Sequence, residues 1–193
     1  VLANTALCDR CKNALERAGI EVHREELARG ARLRKAAFAS DAELLCFAHA
    51  DTQLPANWES EVERCLANRV GWGAFRLRFD DETGRERIPW VSWGANLRTR
   101  LFALPYGDQA PFVHRELYER VDGHPDWPLL DDLELSRRLR RVQRPQLSRL
   151  FVRSSARRYL QRGRVRTVLQ HNLILLRHAL GQSPERLHQR FRT

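Results

Sequence analysis

Apolar and polar positions follow two periods along this chain, and the switches between them divide it into strands and helices. Val1–Asn4 is a short apolar start that stops in polar residues. In "CDRCKNALERAG" the apolar positions Cys11, Leu15 and Ala18 fall at helical spacing, and Gly19 is a stop signal. "IEVHRE" alternates as a short strand, and "LARGARLRKAAFAS" reads as a basic helix. The run Leu44–Phe47 is dense enough for a strand buried on both faces, although a short piece of core helix has the same pattern. "PANWESEVERCLAN" predicts an amphipathic helix from about Pro55. This alternation of strand and helix predicts an open, mainly parallel or mixed sheet with helices on both faces, and Leu44–Phe47 central in it.

The second half continues in kind. "WGAFRLRF" (72–79) puts Phe75, Leu77 and Phe79 on one strand face and Arg76 and Arg78 on the other. Asp80–Gly84 has turn chemistry. Trp90, Trp93, Leu97 and Leu101 recur at helical spacing within 88–104 and predict a helix face packed in the core or at an interface. Gly107-Asp108-Gln109 forms a polar loop before a short strand, Pro111–His114, and a helix runs from Arg115 to Gly123. "PLLDDLELSRRLRRVQ" begins a helix with Asp131 and Asp132 and ends it with arginines, an order that suits the helix dipole. A strand over Leu147–Val152, a helix from about Val165 to Leu180 and the capped "SPERLHQRF" complete the chain. There is no repeat or linker, so a single domain is expected.

Charge adds to this picture. The 193 residues carry a net charge of +10, placed unevenly. Residues 1–97 hold 14 basic and 15 acidic side chains, and residues 98–193 hold 20 and 9. A basic half implies an anionic partner: nucleic acid, a phosphate-bearing substrate or a membrane surface. Nearly all of that charge is arginine, so a solvated basic surface accounts for it equally well. No nucleic-acid motif accompanies it, which argues against a nucleic-acid binder. Cys8 and Cys11 form a lone C-x-x-C with no second pair at zinc-site spacing, and Cys46 sits inside an apolar run as a core thiol. A reducing, cytoplasmic compartment is expected, since no signal peptide is visible and no apolar stretch could span a bilayer.

Candidate chemistry lies where apolar runs stop. "LLCFAHADT" ends in His49 and Asp51, alternate residues that share a strand face and can address one ligand. Asp51 could instead cap the loop that follows, and Asp131 and Asp132 could be helix caps. Three stretches then stand in a telling order: "LLCFAHADT", "PYGDQAPFVHRELYERVDGHP" and "PLLDDLELSRRLRR". Together they resemble glycosyltransferase family 2 enzymes of the GT-A fold. The closest likeness is to a bacterial branch often encoded beside radical-enzyme genes. The resemblance runs on through "SSARRY" and "LGQSPERL" and covers nearly the whole chain.

The resemblance implies an α/β fold of the nucleotide-diphospho-sugar transferase type. Residues 1–55 would form the nucleotide-binding part, 72–160 the acceptor and catalytic part, and 164–193 the C-terminal helices. His49-Ala50-Asp51 stands where the family has its Asp-x-Asp, so Asp51, with His49, would hold Mg²⁺ or Mn²⁺. Asp131-Asp132 matches the family's acidic pair, with Asp132 as general base for an inverting transfer. Asp108 and Gln109 match an acceptor or sugar loop, and Arg157 and Arg158 a diphosphate-binding position. Asn4, Asp9 and Arg32 fall at nucleotide-binding positions.

The front departs from the family. Thr5-Ala6-Leu7 replaces a Gly-Gly-Ser turn, the segment opened by Arg32 lacks the family's Asn, and a first central strand is expected ahead of Val1. Two functions are therefore expected to compete. One is an inverting transfer of sugar from a nucleotide-diphosphate donor to an acceptor hydroxyl, with peripheral contact at a membrane face as an option. The other is a GT-A-like domain with a binding role only.

Overall fold

A computed structural model describes residues 2–3, 17, 23–24, 27–67, 70–81 and 83–191. Two short strands, β1 (Leu2–Ala3) and β2 (His23–Arg24), pair in parallel as a separate ribbon. Helix α1 (Arg29–Ala39) leads to β3 (Leu44–Cys46), β4 (Thr52–Gln53) and α2 (Trp58–Leu66). The long strand β5 (Trp72–Asp80) is followed by α3 (Pro89–Phe102), a 3₁₀ turn at Gly107–Gln109, β6 (Phe112–His114) and α4 (Arg115–Arg120). Helix α5 (Asp131–Val142), β7 (Gln146–Ser155), α6 (Arg157–Arg162), α7 (Arg164–Ala179) and α8 (Pro184–Phe191) complete the order.

The main sheet has five strands in the order β3-β6-β5-β7-β4. It is mixed: β5 and β7 run parallel, while β6 opposes both β3 and β5, and β4 opposes β7. Phe112 and Val113, neighbours on β6, belong to different apolar clusters, so the clusters lie on opposite faces of the sheet. Phe75, Leu77, Phe79 and Val152 pack with Val62 and Leu66 of α2 on one face. Trp72, Leu45 and Val113 pack with Ala37, Tyr118, Leu135 and Leu139 on the other. The α/β class expected from the sequence is thus present, with helices on both faces. No helix among the described residues is long and apolar enough to cross a membrane.

Two expectations are corrected and one is narrowed. The apolar run 44–47 is not central: among the described residues β3 is an edge strand, paired on one side only, and Phe47 lies beyond it. β5 takes the middle, because it is long enough to pair with β7 along most of its length. Of the two forms expected, the sheet takes the mixed one and not the mainly parallel one, since β6 runs back between β3 and β5.

The other correction concerns the Trp-rich helix. Trp90 and Trp93 do not pack in the core; Trp93 is 65% exposed. The physical reason lies in β5. It pairs with β6 only at Trp72 and Gly73, so its edge beyond those residues lacks a strand partner. α3 supplies one through Ser92 and Asn96. Leu77 N–H donates to Asn96 Oδ1 at 2.8 Å, Asn96 Nδ2 donates to Leu77 C=O at 3.0 Å, and Phe79 N–H donates to Ser92 Oγ at 3.1 Å. Buried backbone groups must be paired, and here that demand turned the helix polar side in and tryptophan side out.

A β-bulge illustrates the same rule. Ala74 pairs with Leu147 and Arg76 with Phe151, so residues 148–150 of β7 leave the ladder. Glu61, buried on α2, accepts hydrogen bonds from Ser148 Oγ and Arg149 N–H, both at 2.7 Å, and from Arg64 Nε at 2.7 Å. The Arg64 contact, outweighing burial and joined by the Ser148 and Arg149 donors, holds its carboxyl down at about 2, against an ordinary 4.5.

A depressed carboxyl adds stability that is complete above its unfolded value and is lost as pH falls toward its folded one. Glu61→Gln should therefore cost about 1.5–3 kcal/mol at neutral pH. The deficit should shrink as pH drops from 4.5 toward 2. Denaturant melts of both proteins across that range measure it, and a pH-independent difference would contradict this account.

Candidate functional site

The carboxyl end of β3, the loop 103–111, the start of α5, the end of β7 and helices α6 to α8 enclose a cleft of about 440 Å³. His49, Asp51, Tyr106, Asp108, Asp132, Arg158 and His171 line it, together with Arg29 of α1. Local backbone builds this convergence. Leu130, just ahead of α5, adopts a left-handed conformation (φ 64°), as do Ala103 and Ala110 at the two ends of the loop. Such φ values are uncommon for residues other than glycine and store strain, often beside a ligand site.

Arg29 is the hub. Its Nε donates to Asp131 Oδ1 at 2.9 Å and Oδ2 at 3.1 Å, and its Nη2 lies 3.5 Å from Asp132 Oδ1. Its Nη1 is 3.0 Å from His49 Nε2. A guanidinium only donates, so His49 accepts through Nε2 and carries its proton on Nδ1. Burial, then Arg29, lowers the His49 pKa, and the imidazole is neutral at neutral pH. Gly30 makes the approach feasible: a Cβ there would strike the Pro125 carbonyl and sit 2.9 Å from Asp131 Cβ.

The two aspartates of α5 differ sharply. Asp131 is fully buried beneath the cleft, and burial, opposed by Arg29, pushes its carboxyl up to about 6. Asp132 reaches the cleft. Its Oδ2 accepts Gly107 N–H at 2.7 Å and its Oδ1 accepts Leu133 N–H at 2.9 Å. Burial works to raise its pKa, but Arg29, the Gly107 N–H and His49 outweigh it and hold the carboxyl below the ordinary range. Gly107 has no room for a side chain, since a Cβ would press on His49 Nε2 and Asp132 Oδ2. Ser136 Oγ donates to the Pro105 carbonyl at 2.6 Å and ties this loop to α5.

Asp108 carries a further signal. Burial pushes it up to about 6, and its Oδ1 is buried with no hydrogen-bond partner. An unsatisfied buried oxygen at the wall of a cleft marks a place for a ligand donor. Beside it, Arg98 stacks 3.5 Å from the centroid of the Tyr106 ring.

Of the residues singled out in the sequence, His49, Asp51, Asp108, Asp132 and Arg158 come together in this cleft. Asp131 touches it only through Arg29. Gln109 is turned into the core: Thr99 Oγ1 donates to its Oε1 at 2.6 Å, and its Nε2 donates to the Phe75 carbonyl at 3.2 Å. It completes the β5 edge and does not face a sugar. Arg157 is exposed outside the cleft lining, and Arg32 lines a separate groove between α1 and the β3 end, with its Nε buried and unpartnered. Asn4, Asp9, Cys8 and Cys11 lie outside the described residues. Cys46 is a core thiol pushed up to about 12 by burial, unsuited to nucleophilic work.

Sequence reasoning passed over Arg29, Tyr106, His171 and His188. The Arg29-Gly30 pair was a usable signal, since a glycine inside a helical pattern often marks a close approach.

The donor set decides what ion could fit. Asp51 is exposed, and its carboxylate makes no hydrogen bond or ion pair with the described residues. Among the described residues no three His, Cys, Asp or Glu side chains close on a common ion position. His49 gives its Nε2 lone pair to Arg29. The described residues therefore form no all-protein cage, and an ion beside Asp51 would need phosphate oxygens and water as its other ligands.

No family model and no curated protein matches this chain.

Proposed function

We propose that this cleft moves a sugar from a nucleotide-diphosphate donor to an acceptor hydroxyl, with inversion, on a domain of the GT-A type. One observation carries the reading. Asp51, Asp108, Asp132 and Arg158, expected at the site from the family resemblance and far apart in sequence, line one cleft.

Each residue has a task its surroundings suit. Asp132, ionised at neutral pH, takes the proton of the acceptor hydroxyl as that oxygen forms its bond to the anomeric carbon. The bond from that carbon to the diphosphate oxygen breaks on the opposite side, and its electron pair leaves with the diphosphate. Arg158 meets the diphosphate through paired N–H donors. Asp108 accepts a hydrogen bond from a sugar or acceptor hydroxyl through its unpartnered oxygen, which a carboxyl can do in either protonation state. Mg²⁺ or Mn²⁺ held by Asp51 would offset the charge of the diphosphate. Arg29 keeps Asp132 ionised and His49 neutral.

The same Arg29 clamp favours a second reading, a domain that binds the donor without transferring it. A carboxylate held below its ordinary range is a weaker base. Calorimetric titration with uridine and guanosine diphosphates plus Mn²⁺, beside a transfer assay, separates the two. Binding of one nucleotide is expected, and Asp51→Ala should weaken it at least about tenfold, the loss of one charge-assisted contact. Binding with no turnover selects the second reading. No binding, or binding indifferent to Asp51, overturns both.

A further inference from the structure

Helix α7 is apolar on two opposite faces. Thr167 and Ile174 are buried, and His171, Ile174 and Leu175 wall the cleft. On the far side Val165, Leu169, Leu173, Leu176 and, just past the helix end, Leu180 recur at intervals of four, four, three and four. At 3.6 residues per turn that spacing keeps them on one face. All five are exposed, Leu169 by 63% and Leu180 by 77%. A continuous leucine stripe on a helix whose other side already packs inward is an unpartnered interaction surface.

Charge identifies its partner. No acidic residue stands between Glu134 and Glu185, while Arg157, Arg164 and Arg166 are exposed on α6 and α7. Neither α6 nor α7 carries a carboxylate, so a second copy meeting through the stripe offers these arginines no counter-charge from either helix. An anionic surface that also offers apolar depth satisfies both features at once. That combination is a bilayer containing acidic lipids, with the leucines at the acyl boundary and the arginines among the headgroups.

We infer that the exposed face of α7 docks this protein peripherally on an anionic membrane surface. The helix lies in the interface plane and does not cross it. Because its inner face walls the cleft, docking sets the cleft one helix thickness from the lipid. This inference does not depend on whether the cleft transfers sugar.

Cosedimentation of the full chain with phosphatidylcholine vesicles, with and without phosphatidylglycerol, tests it. The chain should bind the mixed vesicles and not the neutral ones. Leu169→Ser with Leu176→Ser should weaken binding at least about tenfold, through the lost apolar contact. Arg164→Glu with Arg166→Glu should weaken it by about fivefold or more per arginine. The four side chains are exposed, and acidic residues suit a helix start, so both variants should melt like the parent.

A chain held by net charge alone would keep its affinity when the leucines are replaced, which overturns the inference. Failure of the parent to bind the acidic vesicles overturns it too. So does a dimer that the leucine variant dissociates, with no vesicle binding, because the stripe would then belong to a second copy.

Discussion

Asp132→Asn is expected to slow sugar transfer by about 10²–10⁴-fold, the usual contribution of a positioned general base, with donor binding nearly unchanged. The amide keeps the shape of the carboxylate and loses its basicity. One structural cost accompanies this. Asp132 accepts from both Gly107 N–H and Leu133 N–H, and an asparagine must turn its NH₂ toward one of them. Losing a charge-assisted hydrogen bond of this kind costs about 1.5–3 kcal/mol, so the variant should melt several degrees lower. Rates are therefore to be compared well below both melting temperatures.

The pH profile supplies a sharper check. Asp132 is held below its ordinary 3.8, so kcat/KM should stay level down to about pH 4 if it is the base. An acid limb near 6 would instead belong to Asp108 or Asp131, both pushed up to about 6, and would take the base away from Asp132.

Much of this site could be read from the sequence because its residues stand where apolar runs end. His49 and Asp51 follow a run that does become a strand, and Asp132 does open a helix. Such positions are local in the chain, and local pattern is what a single sequence reports best. What could not be read depends on partners far away. The side of α3 that faces the protein was decided by the unpaired edge of β5, and hydrophobic spacing alone pointed the wrong way. The family resemblance made Gln109 a sugar or acceptor contact, yet the Phe75 carbonyl claims it across the sheet. β3 looked central because its residues are apolar, but strand order depends on how the chain returns, and β6 returns against it. Arg29 was hidden for a related reason. In a chain this rich in arginine, no composition signal marks the one that reaches a buried aspartate 102 positions away.

Removing that arginine should have the largest effect on stability. Arg29→Ala leaves Asp131 with no exposed surface and no counter-charge, since both oxygens of its carboxylate are held by Arg29 Nε. Breaking a buried ion pair from one side typically costs about 3–5 kcal/mol, because the remaining charge stays desolvated. For a chain of this size that corresponds to a melting temperature lower by roughly 10 °C.

The sign of the pH dependence follows from Asp131. Its folded pKa already lies above the ordinary 3.8, at about 6, so ionising it opposes folding, and that cost grows as pH rises from 3.8 to about 6. Without Arg29 the attraction that holds it down is gone, the folded value climbs further, and the window of loss extends above pH 6. The variant should therefore approach the parent near pH 4 and fall furthest behind at pH 7–8. Asp131→Asn in the Arg29→Ala background should recover much of the deficit, since a neutral amide of the same shape has no charge to strand. Equal melting curves for Arg29→Ala and the parent at pH 7, or a deficit that Asp131→Asn leaves untouched, would show that Arg29 does not hold the acid pair in place.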